Sequence, residues 1–276
     1  AKLYKMLWTE EGSPIKVYGY KLKEEVQKAL GDDYVVSLGM RYQSPSMESA
    51  VKELLDARVS EIRLFPLFPH YASASTGSVL EETMRLLSKE QAIPSFSMIS
   101  SYHDNPKMLE VFAENARKFD IDSYDHVLFS FHGLPQRQMK KADRCNHCLK
   151  VENCCNTLTD VNQLCYSAQC HDTAFKLADM LGLSKDQYSI CFQSRLGSDP
   201  WIQPYTTDVL KIRAEAGDKR LLAFSPAFVA DCLETIVEIS TEYQEEFEEM
   251  GGEHVQLVPS LNDHPLWIEA ICDMVK

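Results

Sequence analysis

Short apolar runs at residues 34–38, 62–67, 96–99, 126–131, 188–193, 221–225 and 255–259 alternate with segments whose apolar residues recur at helical spacing. The helical patterns fall at 46–57, 78–89, 106–119, 170–181, 208–216 and 265–275. Runs with little polar alternation are buried on both faces, and strands separated by helices pair in parallel because each helix carries the chain back across the sheet. The expected fold is therefore α/β, with two Rossmann-like lobes, each a parallel sheet flanked by helices, and a cleft between them. A long segment at 237–249 is expected to cross back, returning the last strand and last helix to the first lobe. Residues 1–70 and 253–276 then form the first lobe and residues 71–252 the second.

The chain has 276 residues, 45% hydrophobic and 25% charged, enough to bury a sizeable core. Its formal net charge of −13, with no block of Lys and Arg, argues against a nucleic-acid partner. No run approaches the roughly twenty apolar residues of a membrane span, and no signal peptide is visible. The expectation is a cytoplasmic protein; peripheral contact with a membrane and the oligomeric state are left open. The opening residues read as the middle of a helical region entering a turn at Gly12-Ser13-Pro14, so an N-terminal portion is expected to be missing.

Three strand ends carry polar chemistry. The run in DHVLFSFHGLPQR (125–137) ends at His132, and FQSRLGSDPW (192–201) and FSPAFVADCLET (224–235) share its layout. Ligands of open α/β sheets bind beyond the C-terminal ends of strands, so these segments should converge on one crevice. A lone histidine there is more often a satisfied structural residue than a ligand. From Asp231 onward, Glu234, Glu238, Glu242, Glu245 and Glu249 recur every three or four residues, with Val229, Leu233, Ile236, Tyr243 and Phe247 opposite. This reads first as an amphipathic surface helix. Only Glu234, and next Glu238, sits early enough to reach a cleft.

Of nine cysteines, six crowd between Cys145 and Cys170, in an insertion at about 141–169 without sustained period. Cys145, Cys148, Cys154 and Cys155 form CxxC, five residues, then CC, with Cys165 as the natural substitute ligand. Four thiolates suit Zn²⁺ or an iron–sulfur cluster, and unligated cysteines are the third reading.

The segments SFHGLPQR (130–137), FQSRLGSDPWIQPYT (192–206) and FVADCLET (228–235) closely resemble the ferrochelatases, enzymes that insert Fe²⁺ into a porphyrin to make heme. GSPIKVY (12–18), GMRYQSPSMESAV (39–51), LFPLFPHYASASTGSV (64–79) and VPSLND (258–263) extend the resemblance over nearly the whole chain. The resemblance implies the chelatase fold and a cleft taking protoporphyrin IX or coproporphyrin III with Fe²⁺ as substrate. It implies His132 as base or metal ligand and Glu234 facing it as ligand or proton acceptor. Asp231 and Glu238 would line the iron path, and Tyr71, Ser194, Arg195, Trp201 and Phe228 would contact the macrocycle. Because some ferrochelatases carry a [2Fe–2S] cluster on four cysteines, it also raises iron–sulfur above zinc for the insertion. A chelatase for another metal, and a noncatalytic heme-binding or iron–sulfur sensor on the same fold, are the alternative functions.

Overall fold

The computed structural model describes Trp8 and residues 11–276; the helical reading of the first residues lies outside them. Helix α1 (Pro14–Leu30) starts with proline at its first position, where the missing N–H costs nothing, and stops at Gly31, whose φ of 78° suits glycine. Helix α2 (Met47–Asp56) is capped by Ser46, which accepts the N–H of Ser49. Strand β1 (Glu61–Leu64) pairs in parallel with β2 (Ser95–Met98), Ile62 opposite Phe96. Between them a π-helical turn (Ser73–Gly77) leads into α3 (Ser78–Leu87). Met47, Val51, Ile62, Leu86 and Leu87 close a small core between these helices and this sheet.

The second sheet is built from β3 (His126–His132), β4 (Tyr188–Gln193), β5 (Arg220–Phe224) and β6 (His254–Leu257), in the order β4-β3-β5-β6 and all parallel. Central β3 is buried along its length except at His132, and Phe129, Phe131, Phe192 and Phe224 are all at or below 1% exposure. Such a strand can only exist with both faces covered. The covering helices include α4 (Pro106–Ala116), α6 (Tyr166–Met180) and α7 (Thr206–Glu215), and short α5 (Gln136–Ala142) follows β3. A π-helical segment (Leu233–Tyr243) continues into α8 (Gln244–Glu249), and α9 (Pro265–Val275) ends the chain. Among the described residues no helix is long and apolar enough to cross a membrane.

Two expectations change. Residues 34–38 are extended but join no strand ladder, because their backbone is taken by a helix side chain: Gln27 donates to Tyr34 O at 2.9 Å and accepts from Val36 N at 2.8 Å. The last strand does not return to the first lobe. It pairs with β5, Arg220 opposite His254, and Val255 buries in the second sheet's core beside Leu221 and Phe247. Only α9 goes back, packing against α1 and α4; its Trp267 sits 6.1 Å from Phe65 and 5.6 Å from Tyr102.

Burial depresses the histidines of this core. His70 lies well below its ordinary value, and His126, at the start of β3, falls to about 4 through desolvation and the nearby Arg213. Between about pH 6.5 and 4 the unfolded chain therefore binds protons that the folded chain refuses, so stability is lost as pH falls through that window. Urea midpoints should drop from pH 7 to pH 4.5, and His126→Gln should shallow that drop. A midpoint independent of pH over this range would contradict the burial of these rings.

Candidate functional site

The β3–β4 register sets His132 opposite Gln193, and the Gly133 N–H bonds Gln193 O at 2.8 Å. A Cβ at Gly133 would lie 2.8 Å from that oxygen and 3.1 Å from Trp201, so only glycine lets the strand end approach both. Trp201, 8% exposed, is stitched beside it: Pro135 bridges Trp201, Gln136 N donates to Pro200 O and Ile202 N to Leu134 O. The His132 ring meets the edge of Phe228 at 6.1 Å, and its Nδ1 is buried with no hydrogen-bond partner. Its backbone oxygen accepts the Tyr166 hydroxyl at 2.8 Å.

Glu234, in the first turn of the π-helical segment, lies near enough to His132 for its charge to pull the imidazole pKa up, as does that of Glu238. Desolvation outweighs both, and the net shift is downward. The β3 end and the first turn of the π-helical segment are thus within electrostatic reach of each other, and burial keeps the imidazole below its ordinary pKa. Burial first, and then the nearby charge of Glu234, pushes the Cys232 thiol up.

Asp231 and Glu238, expected along an iron path, have their oxygens engaged. Glu238 Oε1 accepts from Ser194 N at 2.7 Å and Tyr243 Oη at 2.9 Å, and Oε2 from Ser194 Oγ at 2.6 Å and Gln193 Nε2 at 2.9 Å. Four donors fill the acceptor capacity of a carboxylate. Asp231, 8% exposed, accepts from Asn262 Nδ2 at 2.7 Å, Thr235 Oγ1 at 3.1 Å and Ser260 N at 3.2 Å. Ser194, held by Glu238, takes φ of 62°, which turns the chain sharply into Arg195. Arg195 is exposed and stacks over the Tyr205 ring at 4.6 Å. Tyr71 borders a different space, a cavity of about 60 Å³ shared with Met139, Cys148, Cys154, Cys165 and Tyr166.

In the insertion, Asp143 accepts the N–H groups of Cys145, His147 and Cys148 at 2.7–2.9 Å, folding the CxxC into a tight turn. Asn162 ties the far side by donating to Cys154 O and Thr157 O, both at 2.9 Å. Cys154 Sγ lies 3.8 Å from Cys155 Sγ and Cys155 Sγ is 3.3 Å from Ser167 Oγ, while Cys148 and Cys155 are near enough to Cys165 for each to perturb its ionisation. Cys165 is the N-cap residue of α6, without a side-chain cap hydrogen bond, and the N–H groups of Ser167 and Ala168 lie near its sulfur. Those donors, the two thiols first, hold the Cys165 pKa far below the ordinary thiol value, while Cys148 and Cys155 are driven up. Cys145 is exposed and takes no part in these sulfur contacts, whereas Cys165, read as the substitute, sits at their centre.

Sequence reasoning passed over Gln193, Tyr166, Cys232 and Asn262. Gln193 carried one usable signal, a polar residue ending an apolar run beside the strand of His132.

A family model described as Ferrochelatase matches residues 1–276. The chain is 41% identical over 276 residues to the ferrochelatase of Legionella pneumophila (strain Corby), covering all of this chain and 82% of that protein. It is 42% identical over 272 residues to that of Ectopseudomonas mendocina (strain ymp), covering 98% and 80%. Among solved structures it is similar to SirB from Bacillus subtilis with Fe³⁺, at a TM-score of 0.60 and 13% identity over 96% of this chain and 90% of that one, a likeness of fold. With a family model spanning every residue and relatives this similar along their length, the chain belongs to the ferrochelatase family.

Proposed function

We propose that the protein inserts Fe²⁺ into a porphyrin in the crevice where β3, β4 and β5 end, with His132 and Glu234 as the working pair. The observation that carries this reading is the His132 ring: neutral by burial, with Nδ1 free of any protein partner and a carboxylate within electrostatic reach. Metallation needs two pyrrole protons to leave as the metal arrives. A neutral imidazole accepts the two pyrrole protons in turn near neutral pH, releasing the first to solvent before taking the second, and a carboxylate across the ring stabilises each resulting cation or takes a ligand place on the incoming iron. Family membership sets the reaction class. Phe228, edge-on to the imidazole, and Trp201, packed on Gly133, fit the apolar wall a flat macrocycle requires.

Glu238 and Asp231 we assign to holding the site. Their oxygens are occupied by neighbouring donors, and a carboxylate that ferries a cation needs free ones. Glu238 fixes the turn at Ser194 that aims the 195–200 loop. Arg195, exposed on that loop, suits a porphyrin carboxylate.

For the insertion we propose a four-sulfur centre on Cys148, Cys154, Cys155 and Cys165. The all-sulfur donor set suits a [2Fe–2S] cluster, with Zn²⁺ as the alternative. Such a group would supply a crosslink to a segment with no apolar core of its own, and, if a cluster, a one-electron centre.

His132→Ala should lower porphyrin metallation by about 10²-fold or more, the range for loss of a general base, with porphyrin affinity largely kept. Wild-type turnover should hold as pH falls through the ordinary histidine value of 6.5 and decline only below it, because the folded ring resists protonation. A turnover profile that breaks above pH 7 would count against His132 as the base. Glu238→Gln should cost about 1–3 kcal/mol in denaturant stability, since an amide cannot accept all four donors. Cys165→Ser should abolish the visible absorption of the isolated protein and Cys145→Ser should leave it intact. Colourless protein with stoichiometric zinc would select Zn²⁺ over the cluster.

A further inference from the structure

Away from the cleft, His103, Asp104 and Asp172 bring a ring nitrogen and two carboxylates within 4.8 Å of one another. His103 and Asp104 lie in the loop between β2 and α4, and Asp172 lies on α6. His103 is only 6% exposed. Its Nδ1 is 2.9 Å from Ser101 Oγ, and that hydroxyl also reaches Pro69 O at 2.9 Å and Gln169 Oε1 at 3.2 Å.

A serine hydroxyl has one proton to give, and Pro69 O can only accept. Gln169 Oε1 is likewise an acceptor, since it takes the N–H of Tyr71 at 2.7 Å while Gln169 Nε2 donates to Gln163 O. The hydroxyl proton goes to one of those oxygens, which leaves His103 Nδ1–H as the donor to Ser101 Oγ. In the neutral ring that burial favours, Nε2 then carries a bare lone pair. Nε2 is buried and has no hydrogen-bond partner, although Asp172 Oδ2 is 3.2 Å away. A lone pair facing a carboxylate calls for a cation between them. Lys176 only half answers: its ammonium touches Asp172 at 2.5 Å and Asp104 at 3.4 Å, and leaves the ring nitrogen unsatisfied.

We propose that His103 Nε2, Asp172 and Asp104 form a second, noncatalytic site for a divalent transition-metal ion. Imidazole with carboxylates selects ions such as Zn²⁺ or Co²⁺ over Mg²⁺ or Ca²⁺. Ser101 is the outer partner that fixes the histidine tautomer, an arrangement usual for metal-ligating histidines. Lys176 is a built-in competitor that swings away when the ion enters. The bound ion ties the β2–α4 loop to α6, reinforcing the bond from Thr173 Oγ1 to His103 O at 2.7 Å.

Cobalt(II) is the probe, because Co–thiolate bonding gives intense near-ultraviolet charge-transfer bands while nitrogen and oxygen ligands give only weak visible ones. Wild-type protein as isolated is titrated beside His103→Gln, Ser101→Ala and Lys176→Met. His103→Gln should bind one Co²⁺ fewer with unchanged thiolate absorption. Ser101→Ala should bind that ion about tenfold more weakly, and Lys176→Met roughly tenfold more tightly once the competing charge is gone. Equal cobalt stoichiometry in wild type and His103→Gln overturns the site. So does a Lys176→Met protein that binds no tighter, a substitution at a partly exposed side chain that the fold tolerates.

Discussion

The side chain of Gln193 is the junction on which the site depends. Its Oε1 accepts from Ser130 Oγ on β3 at 2.8 Å and from Ser225 Oγ, just past β5, at 3.1 Å. Its Nε2 donates to Glu234 O at 2.8 Å and to Glu238 Oε2 at 2.9 Å. One amide, 1% exposed, thus locks three parallel strands to the segment carrying the carboxylates. Each buried group left unpaired would cost about 1–3 kcal/mol, and the four bonds draw on both ends of one amide, so the network stands or falls together. His132, one strand over and in register, inherits that rigidity.

The π-helical segment explains why neighbouring carboxylates serve different ends. In an α-helix the spacing of Glu234 and Glu238 would set them on one solvated stripe. Wider turns, with hydrogen bonds reaching five residues back, change the phase. Glu238 then drops onto Ser194, Gln193 and Tyr243, while the charge of Glu234 remains within electrostatic reach of His132. Widened turns carry poorer backbone geometry than α-helix and persist where packing holds them; here Ile239 and Tyr243 are buried in the second sheet's core, and Val237 is buried as well.

The second sheet was the most legible part of the chain, because a strand buried on both faces admits few residue types and the central strands β3 and β5 show it. The first sheet was less so. Residues 34–38 have a strand's composition, yet Gln27 takes their backbone groups, and nothing local to the run reveals a partner seven to nine residues upstream. The last strand misled for another reason: its apolar character announces burial without saying against which sheet. At the site, His132 ended an apolar run but read by itself as a structural residue, and Glu234 read as part of a solvated helix face; the resemblance of their segments to the ferrochelatases is what singled them out. Gln193 and Asn262 are neutral amides; beyond the place of Gln193 at the end of an apolar run, their importance shows only when partners some 30 to 60 residues away are in place. Among the cysteines, spacing favoured the CxxC pair, but the tight turn built by Asp143 directs Cys148 inward and leaves Cys145 in solvent.

Helix α6 connects the otherwise separate parts. Its N-cap, Cys165, is the thiol whose ionisation Cys148 and Cys155 perturb, and the next residue, Tyr166, sends its hydroxyl to the backbone oxygen of His132. One turn further, Gln169 takes the Tyr71 N–H, and Thr173 bonds both His70 and His103 O. A 15-residue helix behaves as a rigid rod, so its N-terminus cannot shift without moving every one of these partners. The insertion has little apolar core to hold that N-terminus, and its order comes from hydrogen bonds to Asp143 and Asn162 and from the sulfur contacts. The position of the His132 carbonyl is therefore mechanically tied to the geometry at Cys165, some 33 residues on in the chain and one hydrogen bond away in space.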